Sequence, residues 1–179
     1  GSFPVRVAMH HQGSDAELDA YVEKLKRVVQ QQVAVFGTTP QYDVRSYTFI
    51  ADYLPWASGD GMEHRNSTIV TPGTASHEFF HSWNVERIRP KSLQPFDFTR
   101  ANMSGELWFA EGFTSYYGPL FLRRAAVTSL SEYARGLSGN INAVMSDPGR
   151  RFASPVEVSQ QAPFVDAATS IDPTNEDNT

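Results

Sequence analysis

Thr74-Ala-Ser-His-Glu-Phe-Phe-His-Ser-Trp-Asn84 is the segment around which this 179-residue chain is organised. It contains the pattern H-E-x-x-H, formed by His77, Glu78 and His81. On a helix of 3.6 residues per turn, His81 lies about 40° and Glu78 about 100° from His77, so the three side chains share one sector. Two imidazoles one turn apart form a zinc-binding arrangement in proteins with this pattern. An isolated match also occurs by chance, so the alternative is an ordinary structural helix.

The opposite sector of this helix is apolar, which predicts that it packs against a core. Its members are Phe79, Phe80 and Trp83. A catalytic zinc site needs a third protein ligand and one open position, and His₂Glu is a known ligand set. Glu111, in the amphipathic segment Leu107-Trp-Phe-Ala-Glu-Gly-Phe-Thr-Ser-Tyr-Tyr117, is the candidate for this ligand. On its helical wheel the small residues Ser115 and Gly118 lie beside Glu111, so another helix can approach closely.

Composition excludes several classes of protein. A net charge of −5 and a pI of about 5.5 argue against nucleic acid as a partner, because no basic stripe is available to neutralise phosphates. No apolar segment is long enough to span a membrane, and no signal peptide is visible. The chain has no cysteine, so neither disulfides nor thiolate ligands are available. The compartment, cytoplasm or periplasm, stays open.

The order of the predicted elements favours an α+β fold. Strands are predicted at residues 5–10, 42–54 and 67–71, and helices at 14–36, 74–88, 104–124, 129–144 and from 154 onward. Thr74 or Ser76 is the expected N-cap of the zinc helix. We expect one catalytic domain over residues 3–171, with a sheet lobe at 3–86 above this helix, a partial helical lobe at 87–171, and a polar tail at 172–179.

A loop before the zinc helix is the candidate lip of a cleft. The segment Gly61-Met-Glu-His-Arg-Asn66 contains Gly61, Met62, Glu63 and His64, which we predict to contact substrate. Glu63 could pair with the free ammonium group of a peptide, or it could be a surface carboxylate paired with Arg65. The strand at 67–71 could accept an extended peptide as an additional strand, or it could be an ordinary edge strand.

These motifs resemble the gluzincins, and more narrowly the glycyl aminopeptidase family of bacterial zinc metallopeptidases. Three blocks carry the resemblance: Gly59-Asp-Gly-Met-Glu-His64, His77-Glu-Phe-Phe-His-Ser-Trp-Asn-Val-Glu-Arg-Ile-Arg-Pro90 and Trp108-Phe-Ala-Glu-Gly-Phe-Thr-Ser-Tyr-Tyr117. Looser similarity extends over residues 5–159. The aminopeptidase N family has a comparable Gly-x-Met-Glu-Asn loop, and His64 stands where that family has asparagine.

The resemblance implies a zincin, thermolysin-like catalytic domain with a small mixed sheet over the zinc helix and a truncated helical lobe. It also implies cleavage of small N-terminal residues such as glycine or alanine, with Glu63 as the ammonium anchor. Family members carry a β-rich domain before the catalytic domain and a PDZ-like domain after it, so we expect this chain to be part of a longer polypeptide. Their oxyanion-binding tyrosine would lie beyond residue 179.

Three functions are compatible with these features. In a zinc aminopeptidase, Glu78 would act as the general base for an attacking water and Glu63 would hold the substrate's amine. A zinc endopeptidase would hydrolyse N-acetylated peptides as well as free ones. A metal-binding or peptide-binding fragment would bind zinc without hydrolysis.

Overall fold

The computed structural model describes residues 3–57 and 59–164, which form a small mixed sheet and a set of helices. The strands are β1 (Val5–His11), β2 (Tyr47–Tyr53), β3 (Gly61–His64) and β4 (Ser67–Val70). The α-helices are α1 (Asp15–Phe36), α2 (Ala75–Phe80), α3 (Leu107–Arg124), α4 (Leu130–Ser146) and α5 (Pro155–Ser159). Short 3₁₀ turns occupy Lys91–Leu93 and Gly149–Arg151. The mixed α and β character agrees with the predicted element order, and the predicted tail at 172–179 lies outside the described residues.

The sheet has the strand order β1-β2-β4-β3. β1 pairs with β2 in parallel, with Val5 opposite Tyr47, and α1 forms the crossover between them. β2 pairs in parallel with β4, whereas β3 pairs antiparallel with β4. Because β4 is hydrogen-bonded on both sides, both alternatives for the strand at 67–71 are wrong: it neither accepts a peptide as an additional strand nor forms an ordinary edge strand. In the described sheet, β3 occupies that edge.

β3 corrects a second prediction, because residues 61–64 form a strand and not a loop. The strand pairs with β4 across a two-residue turn at Arg65 and Asn66. The Asn66 side-chain oxygen accepts a hydrogen bond from the Asp43 amide at 2.8 Å, which anchors this turn to the chain before β2. The strand predicted at 42–54 is shorter in the structure, because residues 43–45 form a turn and β2 begins only at Tyr47.

Local sequence signals account for the ends of several helices. Ser14 and Glu17 form the predicted capping box of α1, and Gly37 ends that helix in the left-handed conformation with φ of 82°. Ser129 and Glu132 cap α4, and Ser154 and Glu157 cap α5, in the same reciprocal way. These predictions are confirmed because each depends on side chains only three residues apart.

An aromatic core joins α2 to the sheet. Phe79 is fully buried, and its ring centroid lies 5.0 Å from that of Tyr47, 5.4 Å from that of Phe49 and 5.4 Å from that of Trp83. Phe80 faces a second cluster and stacks on Tyr117 at 5.2 Å between centroids. The predicted apolar sector of the helix is therefore buried. Its packing holds the helix in one orientation, and the histidines lie on the opposite side.

α2 is shorter than predicted, because the unbroken run of hydrogen bonds four residues apart ends near Phe80, and later amides donate to carbonyls three, four or five residues earlier. The following residues continue as turns, in which the Ile88 amide donates to the Trp83 carbonyl, five residues earlier. Thr74 precedes α2 without capping it, because its hydroxyl donates to the carbonyls of Asp60 and Thr71 at 3.0 and 3.1 Å. Thr74 thus occupies the predicted N-cap position, but its side chain does not cap the helix, and the alternative residue, Ser76, lies inside α2.

The described residues fall into two compact units. The first contains residues up to 88 and residues 114–133, and the second contains residues 89–113 and those from 134 onward. Thus β1 to β4, α1 and α2 belong to the first unit, as do the residues of α3 from Thr114. α4 carries no buried residue and presents several exposed apolar side chains. Among the described helices, none is long and apolar enough to cross a membrane.

Candidate active site

The two histidines of the H-E-x-x-H pattern lie side by side in the first unit. Their Nε2 atoms are 3.2 Å apart, and their ring planes are inclined by 78°. Two nitrogens bound to one tetrahedral zinc ion at 2.0–2.1 Å would stand about 3.3–3.4 Å apart. The spacing of His77 and His81 therefore fits two ligands of one zinc ion.

A backbone carbonyl fixes the tautomer of His81. The Nδ1 atom of this buried imidazole lies 2.7 Å from the carbonyl oxygen of Asn84, which only accepts hydrogen bonds. Nδ1 must therefore carry a proton, which leaves Nε2, the nitrogen nearest His77, as the ring atom that could bind a metal. This is the arrangement by which metal-binding histidines are oriented through their other ring nitrogen.

The turn that follows α2, at residues 83–88, directs the Ile88 amide to a carbonyl other than that of Asn84; we call it the wide turn. In a regular α-helix the Asn84 carbonyl would accept from the Ile88 amide, four residues later. Here the Ile88 amide donates instead to Trp83 at 2.7 Å, and the Asn84 carbonyl receives the imidazole of His81. Hydrogen bonds spanning five residues are uncommon and occur at functional sites in many helices. The sequence pattern of this segment is typical of a regular helix and does not indicate the turn.

Thr114 lies beside both His81 and Asn84. It is fully buried, and its hydroxyl accepts a hydrogen bond from the Asn84 side-chain amide at 3.3 Å. The same oxygen lies 3.5 Å from Nδ1 of His81. This threonine was not predicted as a site residue, although its position three residues after Glu111 on an amphipathic segment was a usable signal.

Two carboxylates lie close to His81. One ligand atom each from Glu63, Glu78 and His81 lies within 4.8 Å of the others, so this group could also hold a metal ion. Glu78 is 5% exposed, whereas Glu63 is half-buried on β3. The concentration of negative charge at this point favours a bound cation.

The four predicted substrate-binding residues alternate between the two faces of β3. Gly61 and Glu63 are half-buried, whereas Met62 and His64 are exposed. Gly61 packs so closely on Glu78 that a β-carbon there would overlap the carboxylate. Successive side chains of a strand point to opposite faces, so Met62 and His64 point away from Glu78. The substrate-binding role of all four residues stays a prediction.

The close helix approach expected from Gly118 is present. A β-carbon on Gly118 would lie 3.3 Å from Cα of His77, and the Ser76 hydroxyl donates to the Gly118 carbonyl at 2.8 Å. The side-chain amide of the fully buried Gln32 donates to the Ser76 carbonyl at 2.9 Å. α1, α2 and the first-unit part of α3 are thereby held together at the residue before His77.

A cavity of about 390 Å³ opens beside His77 and Glu78. Its other lining residues come from the start of β3 and the chain before it, from the turn before α2 and from α3; they include Asp60, Gly61, Thr74, Ser115 and Gly118. This volume lies within the range of small-molecule binding sites. We call it the catalytic cavity. Asp60 and Thr74 were not among the predicted site residues, because their contribution arises from tertiary packing.

Glu111 lies on α3 in the second unit, where it lines a cavity of about 260 Å³ together with Trp108 and Ser159. On α3 it precedes Ser115 by four residues, and Ser115 lines the catalytic cavity. Residues four apart share a helix face. The assignment of Glu111 as a zinc ligand stays a prediction.

Comparison with protein families identifies the chain. Residues 71–179, more than half of the sequence, match the family model described as M61 glycyl aminopeptidase. The chain belongs to the M61 glycyl aminopeptidase family. The matched region of this family member contains His77, Glu78, His81 and Glu111.

A solved structure supports the same relationship. The M61 family member resembles the crystal structure of an aminopeptidase N family protein from Idiomarina loihiensis, with a TM-score of 0.74 and 25% sequence identity. The match covers 87% of this chain and 29% of that protein, so the chain spans less than a third of its relative. No curated protein sequence matches the chain.

Proposed function

We propose that this chain carries the metal centre of a zinc-dependent aminopeptidase with a zincin, thermolysin-like fold. The observation that supports this most directly is the 3.2 Å separation of the two Nε2 atoms, with Glu78 and Glu63 beside His81. Membership of a peptidase family makes hydrolysis the chemistry to test first. Cleavage after small N-terminal residues, glycine or alanine, is the substrate preference that we propose.

His77, His81 and Glu111 would hold the zinc ion in this proposal. Glu111 shares a helix face with Ser115, which lines the same cavity as His77, so the continuity of α3 supports its assignment. A bound zinc ion would lower the pKa of water toward about 7 and polarise the scissile carbonyl. With its proton on Nδ1, the neutral form of His81 would offer Nε2 to the metal.

Glu78 is the general base in this proposal. Its carboxylate is held against Gly61 at the wall of the catalytic cavity, where a water molecule and a peptide could both reach it. It would accept a proton from the attacking water and return it to the leaving amine. Its near-complete burial limits the number of orientations that the carboxylate can adopt.

Glu63 would confer aminopeptidase specificity by pairing with the substrate's free ammonium group. Its carboxylate lies close to that of Glu78, so an amine bound there would sit next to the bond that is cleaved. A peptide lying along the edge strand β3 could form backbone hydrogen bonds with it, as in strand addition. The alternative partner of Glu63, Arg65, instead donates to Asp43 at 2.7 Å, which favours the functional assignment.

The decisive experiment is the substitution Glu78→Gln. If Glu78 is the base, the variant should retain one zinc per chain and lose about 10²- to 10⁴-fold in hydrolysis of glycyl peptides. If zinc is held by Glu63, Glu78 and His81 instead, the variant should lose the metal. Glu23→Gln, on the exposed surface of α1, is the matched control. Unchanged hydrolysis by Glu78→Gln would exclude the mechanism.

A second comparison separates the exopeptidase from the endopeptidase. Glu63→Ala should reduce cleavage of free glycyl dipeptide amides far more than cleavage of their N-acetylated forms. Equal loss on both substrates would contradict the ammonium-anchor role. Wild-type hydrolysis of the acetylated peptides at the same rate as the free ones would establish an endopeptidase.

The solved relative is much longer than this chain, so we propose that flanking domains and an oxyanion donor outside the 179 residues contribute to activity. The test compares the rate of glycyl-peptide hydrolysis by this chain with the rate for a longer polypeptide that contains it. Zinc binding without hydrolysis by the shorter chain alone is the expected result if the outside residues are required. Equal turnover by both would show that they are not.

A further inference from the structure

A second cavity of about 260 Å³ lies beside the catalytic cavity in the first unit. The two cavities share three lining residues, Gly73, Ser76 and Leu122. The second cavity extends from them to one face of α1, where Leu25 and Val28 form its floor. We call it the apolar cavity.

The lining of this cavity suits a hydrocarbon group. Its polar hydroxyls are already engaged, because Tyr53 donates to Tyr21 at 3.0 Å and Ser76 donates to a backbone carbonyl. Burial raises the pKa of Tyr21 above its ordinary value, as expected for an apolar environment. An apolar cavity of about 150 Å³ is large enough to bind benzene, so one of 260 Å³ can hold a leucine or phenylalanine side chain.

The position of the apolar cavity determines which substrate residue would enter it. Gly61 lines the catalytic cavity, whereas Glu63, two residues further along β3, is not part of its lining. The catalytic cavity is thus lined by Glu78, Gly73 and Ser76 but not by the proposed ammonium anchor. With the substrate's amine held at Glu63, the leaving amine and the second residue would lie in the catalytic cavity.

We infer that the apolar cavity binds the side chain of the substrate's second residue and selects a large apolar group such as leucine or phenylalanine. This inference rests on the proposed function, because it takes Glu63 and Glu78 as the anchor and the base. The family description concerns the N-terminal residue that is removed and assigns no preference to the residue after it. Specificity would therefore be divided between a small first residue and a large second one.

The test compares the substrates Gly-Ala-NH₂, Gly-Leu-NH₂ and Gly-Phe-NH₂. A methylene group in a hydrophobic subsite changes kcat/KM by roughly 10- to 200-fold. We expect the leucine peptide to exceed the alanine peptide by at least about tenfold. Val127→Phe, at the half-exposed rim of the apolar cavity, should abolish this preference by filling the space that the leucine side chain would occupy. Val35→Phe, which lies outside the cavity on α1, should leave the preference unchanged.

Binding provides a readout that does not depend on turnover. The dissociation constants of the same peptides for Glu78→Gln, measured by calorimetry, should fall with side-chain size and lose this trend when Val127→Phe is added. If this chain hydrolyses none of the peptides but the binding trend is present, the apolar subsite stands. Hydrolysis of the same peptides by the longer polypeptide then tests the hydrolase assignment separately. Equal binding and equal turnover of the alanine and leucine peptides would overturn the inference.

Discussion

Gly61→Ala tests whether β3 holds Glu78 in the position needed for proton transfer. A β-carbon at residue 61 would stand 2.7 Å from both Cγ and Cδ of Glu78 and would overlap one carboxylate oxygen. Carbon atoms that are not bonded to each other pack at about 3.5–4.0 Å, so the Glu78 side chain must move by roughly 0.8 Å or more. The displaced atoms include Cγ, so rotation of the carboxylate alone does not relieve the overlap.

A displacement of about 1 Å at a catalytic group can reduce a rate by about 10²-fold. We therefore expect Gly61→Ala to lower kcat/KM for glycyl peptides about 100-fold, equivalent to about 2.7 kcal/mol of transition-state stabilisation. Steady-state hydrolysis of Gly-Ala-NH₂ measures the effect. Zinc content, determined by metal analysis, should stay at one per chain, because the proposed ligands are not displaced.

Gly139→Ala is the matched control for this substitution. Nothing lies within 4 Å of a β-carbon at Gly139, which is on the exposed helix α4. The control should gain about 0.5–1 kcal/mol of folding stability through reduced chain entropy, with unchanged kcat/KM. A folded Gly61→Ala variant with wild-type kcat/KM would refute the proposed packing of Glu78 against β3.

Other predictions concern stability, metal binding and pH. Phe79→Ala should lower the free energy of unfolding by about 3–5 kcal/mol in denaturant titrations, because its ring is fully buried in the aromatic core; an effect below 1 kcal/mol would contradict that burial. Thr114→Val should weaken zinc affinity about 10- to 100-fold in competition with a chelator, as expected for a group that orients a metal-binding histidine; wild-type affinity would exclude this role. Chelation should lower the melting temperature of wild type but not of His81→Ala, because bound metal stabilises only a protein that binds it. Burial raises the pKa of Tyr47 in the folded protein, so above pH 10 the unfolded chain loses this proton while the folded protein keeps it. The free energy of unfolding should therefore fall by about 1.4 kcal/mol per pH unit above pH 10. In urea titrations, Tyr47→Phe should remove this part of the loss of stability at alkaline pH.

Features that depend on near neighbours in the chain were predictable from sequence. The capping boxes at Ser14, Ser129 and Ser154 are examples, because each requires only two side chains three residues apart. The buried sector of α2 was predictable for the same reason, since 3.6-residue periodicity places Phe79 and Phe80 opposite the histidines. The proximity of His77 and His81 follows from a single helical turn.

Features created by tertiary contacts were not predictable in the same way. Gly61–His64 contains no β-branched residue, and its strand conformation depends on pairing with β4. The end of α2 depends on competition between an imidazole and a backbone amide for one carbonyl, which helix propensity does not describe. The apolar cavity is formed by residues more than 100 positions apart, such as Tyr21 and Leu122, and has no local sequence signature.

The wide turn after α2 sets a limit on engineering this protein for thermostability. Replacing Ser82 or Asn84 with strong helix formers would favour extension of α2 as a regular helix. The Ile88 amide would then occupy the Asn84 carbonyl, and the imidazole of His81 would lose the acceptor that selects its tautomer. Variants chosen for a higher melting temperature of the apoprotein should therefore be screened for metal retention. The carbonyl oxygen of residue 84 can accept either the helical hydrogen bond that would stabilise the fold or the imidazole that would bind the metal.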